Sequence, residues 1–121
     1  MLIVDAANVV GSRPDGWWRD RPAAARRLYD HLLATGLDGV VLVLEGQARQ
    51  GVGLTDGDDA AARHVRVVHA AGTGDDAIVD LVRQGASTVT VVSADRELRR
   101  RVLELGADVV GPRYVWEGPR G

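Results

Sequence analysis

Residues 65–85, VRVVHAAGTGDDAIVDLVRQG, decide how the rest of the chain reads. Val65, Val67 and Val68 form a short β-branched run of the kind that favours an extended strand. His69 to Gly74 then supplies small and turn-forming residues, and from Asp75 onward Ile78, Leu81 and Val82 recur at helical spacing. Gly85 stands where a helix commonly ends in a left-handed residue. Strand, short loop and helix make half of a βαβ unit, and the same pattern recurs on both sides of it. Leu2-Ile3-Val4, Val40 to Leu44 and Val89 to Val92 are further strand-like runs. One-sided apolar patterns span about 21–35 (Ala25, Leu28, Leu32) and about 95–105 (Leu98, Val102, Leu105), followed by Gly36 and Gly106. A last short strand is expected near Asp108-Val109-Val110, before a tail containing glycine and proline. The central strands are too uniformly apolar to have one wet face, so they belong in a parallel sheet covered by helices on both sides. The stretch 46–63, GQARQGVGLTDGDDAAAR, is rich in glycine and acid without periodicity and reads as a mobile surface loop.

At 121 residues and 45% hydrophobic content the chain fits one domain, residues 1–121, able to bury roughly two-thirds of its unfolded surface. Cysteine is absent, which excludes disulfides, thiolate catalysis and cysteine-ligated zinc or iron. Met1 runs straight into Leu2-Ile3-Val4 without a signal-peptide pattern, and no apolar run is long enough to span a bilayer, so a cytoplasmic location without membrane association is expected. All 15 basic residues are arginine, a side chain suited to phosphate. The formal net charge of −2 argues against a uniformly basic nucleic-acid coat, but withdrawing four acids into a metal site would leave +2.

In a parallel α/β sheet the residues just beyond the strand ends gather along one edge, where such folds bind ligands. Acids stand at those ends: Asp5 after the first strand, Glu45 after the second, Asp75 and Asp76 opening the helix after the third, and Asp95 after the fourth. Asp75 and Asp95 could equally be helix N-caps, and Glu45 a solvated turn residue. Capping alone does not readily explain an acid at each of four strand ends. Clustered carboxylates raise one another's pKa unless a cation joins them, and Mg²⁺ or Mn²⁺ prefers such oxygen ligands. Gly72-Thr73-Gly74-Asp75-Asp76-Ala77 also fits the loose G-x-G-x-x-A dinucleotide pattern. It follows the third strand instead of the first, however, and its two carboxylates occupy the helix N-terminus where a pyrophosphate needs positive potential. A phosphate-binding P-loop is excluded by the absence of lysine.

Three segments resemble a known family: LIVDAANVVG (Leu2 to Gly11), GTGDDAIVDLV (Gly72 to Val82) and TVTVVSADRELRRRV (Thr88 to Val102). They are similar, in order, to the three motif regions of PIN-like nucleases, within them the NYN branch and its bacterial YacP-like members. That branch carries a strand ending D-G-Y-N-V-I-G, a helix A-D-x-x-I-x-x-L-V, and a strand running into T/S-S/A-D. The resemblance implies a Rossmann-like three-layer sandwich with strand order 3-2-1-4-5. It also implies metal-dependent hydrolysis of RNA phosphodiesters to a 5′-phosphate and a 3′-hydroxyl. Asp5, Asp75 and Asp95 match the family's acids, Asn8 its first-motif asparagine and Ser93 its third-motif hydroxyl. Asp76, Glu45 and Asp80 are candidates for a further acid, whose place varies among members. Ala6-Ala7 departs from the family's Gly-Tyr and removes an aromatic from that loop.

Catalysis on this reading rests on Asp5, Asn8, Asp75 and Asp95, with Mg²⁺ or Mn²⁺ held by Asp5, Asp75, Asp76, Asp95 and Glu45. Asn8 either orients a phosphate or serves as a turn residue. For substrate, GSRPDGWWRDRP (residues 11–22) brings Arg13, Trp17, Trp18, Arg19 and Arg21 beside the acidic edge, a set suited to single-stranded RNA. The tryptophan pair could instead pack as a hydrophobic staple or fill a homodimer interface. Ser93 and Arg96 complete the substrate candidates, Arg96 because it follows Asp95. His31, His64 and His69 lack metal-ligand spacing. The alternatives are a nucleotide pyrophosphohydrolase, although no Nudix box or pair of acidic helices is visible, and a non-catalytic PIN-like module for RNA binding or dimerisation.

Overall fold

The computed structural model describes residues 1–53, 64–85 and 88–118. Five strands, β1 (Leu2–Asp5), β2 (Val40–Leu44), β3 (Val65–His69), β4 (Thr90–Val92) and β5 (Asp108–Val110), form one sheet in the order β3-β2-β1-β4-β5. Every pairing is parallel: Ile3 lies opposite Val41 on one side and Val91 on the other. This is the expected Rossmann-like sandwich.

The uniform apolarity of the strands has the anticipated cause, because alternate residues enter two separate cores. Leu2, Val4, Val40, Leu42, Leu44, Val65 and Val67 face one core, which contains Val9, Leu28, Leu32 and Val115. Ile3, Val41, Val43 and Val91 face the other, with Ile78, Val79, Leu98 and Val102. Helices α1 (Ala6–Gly11), α2 (Arg21–Thr35) and α5 (Arg113–Glu117) cover the first face, and α3 (Gly74–Gln84) and α4 (Arg96–Glu104) cover the second. No helix among the described residues is long and apolar enough to cross a membrane.

Four short elements depart from the sequence reading. The chain turns directly from β1 into α1, and Trp17–Arg19 forms a 3-10 turn. Gly46–Gly51, expected in a mobile loop, is a second 3-10 turn packed on α2; Gly51 approaches so closely that an added Cβ would lie 2.0 Å from the Pro22 carbonyl oxygen. The remainder of that expected loop, residues 54–63, lies outside the described residues. Within the expected tail, α5 is held by Trp116, whose indole Nε1–H donates to the Val9 carbonyl at 3.2 Å, while His31 Nε2 pairs with the Val115 carbonyl at 2.8 Å. Gly36 and Gly106 take the expected left-handed conformation with φ of 74° and 90°. Gly85 does not, at φ −66°. Its small size serves packing instead, since a Cβ there would come within 2.9 Å of Val89 Cγ2.

Candidate functional site

Successive strands are laid down outward from β1 to β3, and the chain then returns to the other side of β1 for β4 and β5. The loops after β1 and β4 therefore diverge to opposite faces, leaving a crevice at this switch point. Asp5 closes β1 there, 5% exposed, beside Ser93, which is fully buried beyond β4. Ser93 Oγ–H donates to Asp5 Oδ2 at 2.9 Å and its oxygen accepts the Asp95 amide at 3.1 Å. Asn8, on α1, accepts the Ala94 amide through Oδ1 at 2.7 Å. Asn8 and Ser93 thus stitch the two strand ends together, and the bond made by Asn8 goes to the opposite loop instead of its own turn.

The crossover from β3 to β4 carries α3 across β1 and β2, so its N-terminus returns to the same crevice. Thr73 is the N-cap of α3, its Oγ1 accepting the Asp76 amide at 3.2 Å. With the cap supplied by Thr73, the Asp75 carboxylate has no hydrogen-bond or ion-pair partner among the described residues. Glu45 reaches the same helix start, where its Oε2 accepts the Gly74 amide at 2.9 Å. Gly74 is buried against that carboxylate, and a Cβ would sit 3.3 Å from Glu45 Oε1. Asp95 does cap its own helix, Oδ1 accepting the Leu98 amide at 2.9 Å.

Electrostatics register the gathering of acids. Burial lifts the Asp5 pKa from 3.8 to about 6, against the hydrogen bond from Ser93, and the charges of Asp75 and Glu45 push in the same upward direction. Asp75 is also raised, first by burial and then by Asp95 and Glu45, with Arg101 opposing. The donor set is all carboxylate and suits a hard divalent cation. As oriented, no three His, Asp or Glu side chains among the described residues stand close enough together to hold one ion.

Two expected members of the metal set have partners of their own. Asp76 is paired with Arg101 at 3.2 Å on the outer surface, because one residue along a helix turns its side chain about 100° from Asp75. Glu45 serves the α3 terminus. Asp80, a further turn along α3, is exposed and lies 3.7 Å from Arg83.

The aromatic segment is divided. Trp17 is half-buried and Trp18 is 54% exposed, their rings edge to face at 6.0 Å. Arg21 lies over Trp17 at 5.1 Å and Arg19 over Trp18 at 5.8 Å. Arg13 is drawn away to α5, 4.2 Å above the Trp116 ring. Arg96 is exposed at the start of α4. Trp17 and Arg21 line a cleft of about 530 Å³ that also takes in Ala6, Ala7, Glu45 and Gln47 and so adjoins the acidic edge. The sequence reading missed Thr73, Gly74 and Gln47; a cap-forming threonine followed by the smallest residue was the available signal for the first two.

A five-stranded parallel sheet in this order, covered by helices on both faces, is a Rossmann-like α/β fold. No protein-family model matches the chain, and no curated protein matches it in sequence. Among solved structures, the crystal structure of Rae1 (YacP) from Bacillus subtilis shares the fold, with a TM-score of 0.61 and 17% identity over 96% of this chain and 72% of that one.

Proposed function

We propose that the chain, as one PIN-like domain over residues 1–121, is a metal-dependent ribonuclease acting on single-stranded RNA in the cytoplasm. The observation that carries this reading is the convergence of acids from separate strand ends on the switch-point crevice, with Asp5 buried and Asp75 unpaired. A fold that only needed caps has them already, from Thr73 for α3 and Asp95 for α4. Burial first, and the neighbouring negative charges after it, make ionised Asp5 and Asp75 costly to the fold, a cost that a bound cation would relieve. The motif resemblance to PIN-like nucleases, and the fold shared with Rae1 (YacP), point the same way.

Asp5, Asp75 and Asp95 are the residues that would hold Mg²⁺ or Mn²⁺, with Asp95 giving up its cap. When bound, such an ion supplies charge neutralisation at phosphoryl oxygens. Ser93 holds Asp5 in one orientation, and Asn8 fixes the Ala94 backbone beside Asp95. Arg96 and Arg19 offer cations to the phosphates of a strand crossing the edge.

The test is incubation of end-labelled single-stranded RNA, duplex RNA and nucleoside triphosphates with the protein in Mn²⁺ or EDTA. Cleavage of single-stranded RNA that EDTA abolishes and Asp75→Asn eliminates supports the reading. Hydrolysis confined to the triphosphates would replace it with the pyrophosphohydrolase alternative, and inertness toward all three would leave a binding module.

A further inference from the structure

The cleft beside the acidic edge has a chemically mixed lining. Its lining takes Ala6, Ala7 and Val10 from α1, with nothing beyond a methyl group at the first two positions. It takes Trp17, Arg21 and Ala25 from the 3-10 turn and α2, the Arg21 guanidinium lying 5.1 Å from the centre of the Trp17 ring. Glu45, Gly46, Gln47 and Ala48 complete it. At about 530 Å³ it falls within the range of small-molecule sites, which are mostly apolar with a few placed polar groups. Glu45 and the turn that follows it are held in place. Glu45 is held by the Gly74 amide through one oxygen, leaving Oε1 without a hydrogen bond among the described residues. The Gly46–Gly51 turn is seated on α2 by the close contact of Gly51 with Pro22, and Arg49 Nε–H donates to the Gly46 carbonyl at 3.1 Å.

We propose that this cleft receives one guanine base of an RNA strand, stacked on Trp17 and held at its edges by Glu45 and Arg21. An indole is a platform for any base, and the Arg21 guanidinium over that ring, exposed and without a hydrogen-bond or ion-pair partner among the described residues, is free to turn aside to the edge of a base seated there. The edge chemistry selects among the four. Guanine presents N–H donors at N1 and N2, which a carboxylate accepts, and acceptors at O6 and N7, which a guanidinium donates to. Adenine, which lacks the N1–H and N2–H₂ donors, and the pyrimidines, which lack the O6/N7 pair, each leave one of the two side chains unmatched. The cleft abuts Asp5 through Ala6, so a base seated there sets the register of the neighbouring phosphodiester at the edge. This assignment rests on the ribonuclease reading for the identity of the polymer.

The four nucleoside 5′-monophosphates are titrated by calorimetry into the full chain in EDTA, where no cleavage intervenes. GMP should bind roughly tenfold more tightly than AMP, CMP or UMP, the discrimination expected of one edge pairing. Glu45→Gln should erase that preference while weak binding of all four persists; glutamine still accepts the Gly74 amide, so an unchanged melting temperature verifies the fold. Trp17→Ala should weaken all four together. Equal affinities, absence of binding, or a preference that survives Glu45→Gln overturns the proposal. A protein that selects GMP in this way but cleaves no RNA would retain the guanine cleft and lose the nuclease; one that cleaves RNA without selecting GMP would do the reverse.

Discussion

Asp5→Asn should make the protein more stable at neutral pH while destroying its proposed activity. Asp5 is 5% exposed, and its pKa stands at about 6 in the folded chain against 3.8 ordinarily. The folded state therefore holds this proton more firmly than the unfolded state does. By linkage, stability is highest below the unfolded value and falls as pH rises through the interval from 3.8 to about 6. The shift of about two units corresponds to about 3 kcal/mol of destabilisation once the group is ionised. Asparagine keeps an oxygen to accept the Ser93 hydroxyl and places an N–H₂ among the neighbouring carboxylates, so most of that penalty should be recovered. We expect a gain of about 1–3 kcal/mol above pH 7, roughly 4 °C in melting temperature per kcal/mol for a chain of this size, and no gain below pH 4. Guanidinium unfolding of both proteins in EDTA at pH 4, 5.5 and 7.5 measures it. Equal stability at pH 7.5, or a difference that does not change with pH, would refute the claim that Asp5 is a strained, ionised acid.

Millimolar Mn²⁺ should raise the melting temperature in a dose-dependent way, adding ~2.7 kcal/mol at about 100 times the dissociation constant. Asp95→Asn should cancel that response yet leave metal-free stability unchanged, since asparagine caps α4 as well as aspartate does; differential scanning fluorimetry reads both. Gly51→Ala should cost about 1–3 kcal/mol, as an overpacked contact does, because its Cβ would meet the Pro22 backbone carbonyl at 2.0 Å; a neutral result in denaturant melts would mean that the Gly46–Gly51 turn is not seated on α2. Trp116→Phe should cost about 1 kcal/mol through the lost bond to the Val9 carbonyl, whereas Trp18→Ala, at an exposed site, should leave chemical denaturation within about 0.5 kcal/mol of wild type.

The sheet was legible in the sequence because its signals are local. Val40 to Leu44 is apolar at every position since both faces are covered, and α2, α3 and α4 each carry several turns of one-sided pattern. The placing of an acid after each of four strands was equally a matter of chain order. Helices α1 and α5, at six and five residues, are too short for a period to show, and depend on Val9 and Val115 being buried by the rest of the fold. Which residue caps α3 was also open locally, because Thr73 and Asp75 are both capping types; the helix begins at Gly74, so the Thr73 hydroxyl takes the Asp76 amide and Asp75 is left free of capping. Sequence likewise treats Trp17 and Trp18 as a pair, whereas the 3-10 turn sends one into the cleft and leaves the other in solvent. That Asp75, seventy residues from Asp5, should feel its charge follows from α3 crossing back over β1 and β2 on its way from β3 to β4. Hydrophobic periodicity records how each segment buries itself, but the meeting of distant polar groups is settled by the crossover geometry that only the packed chain possesses.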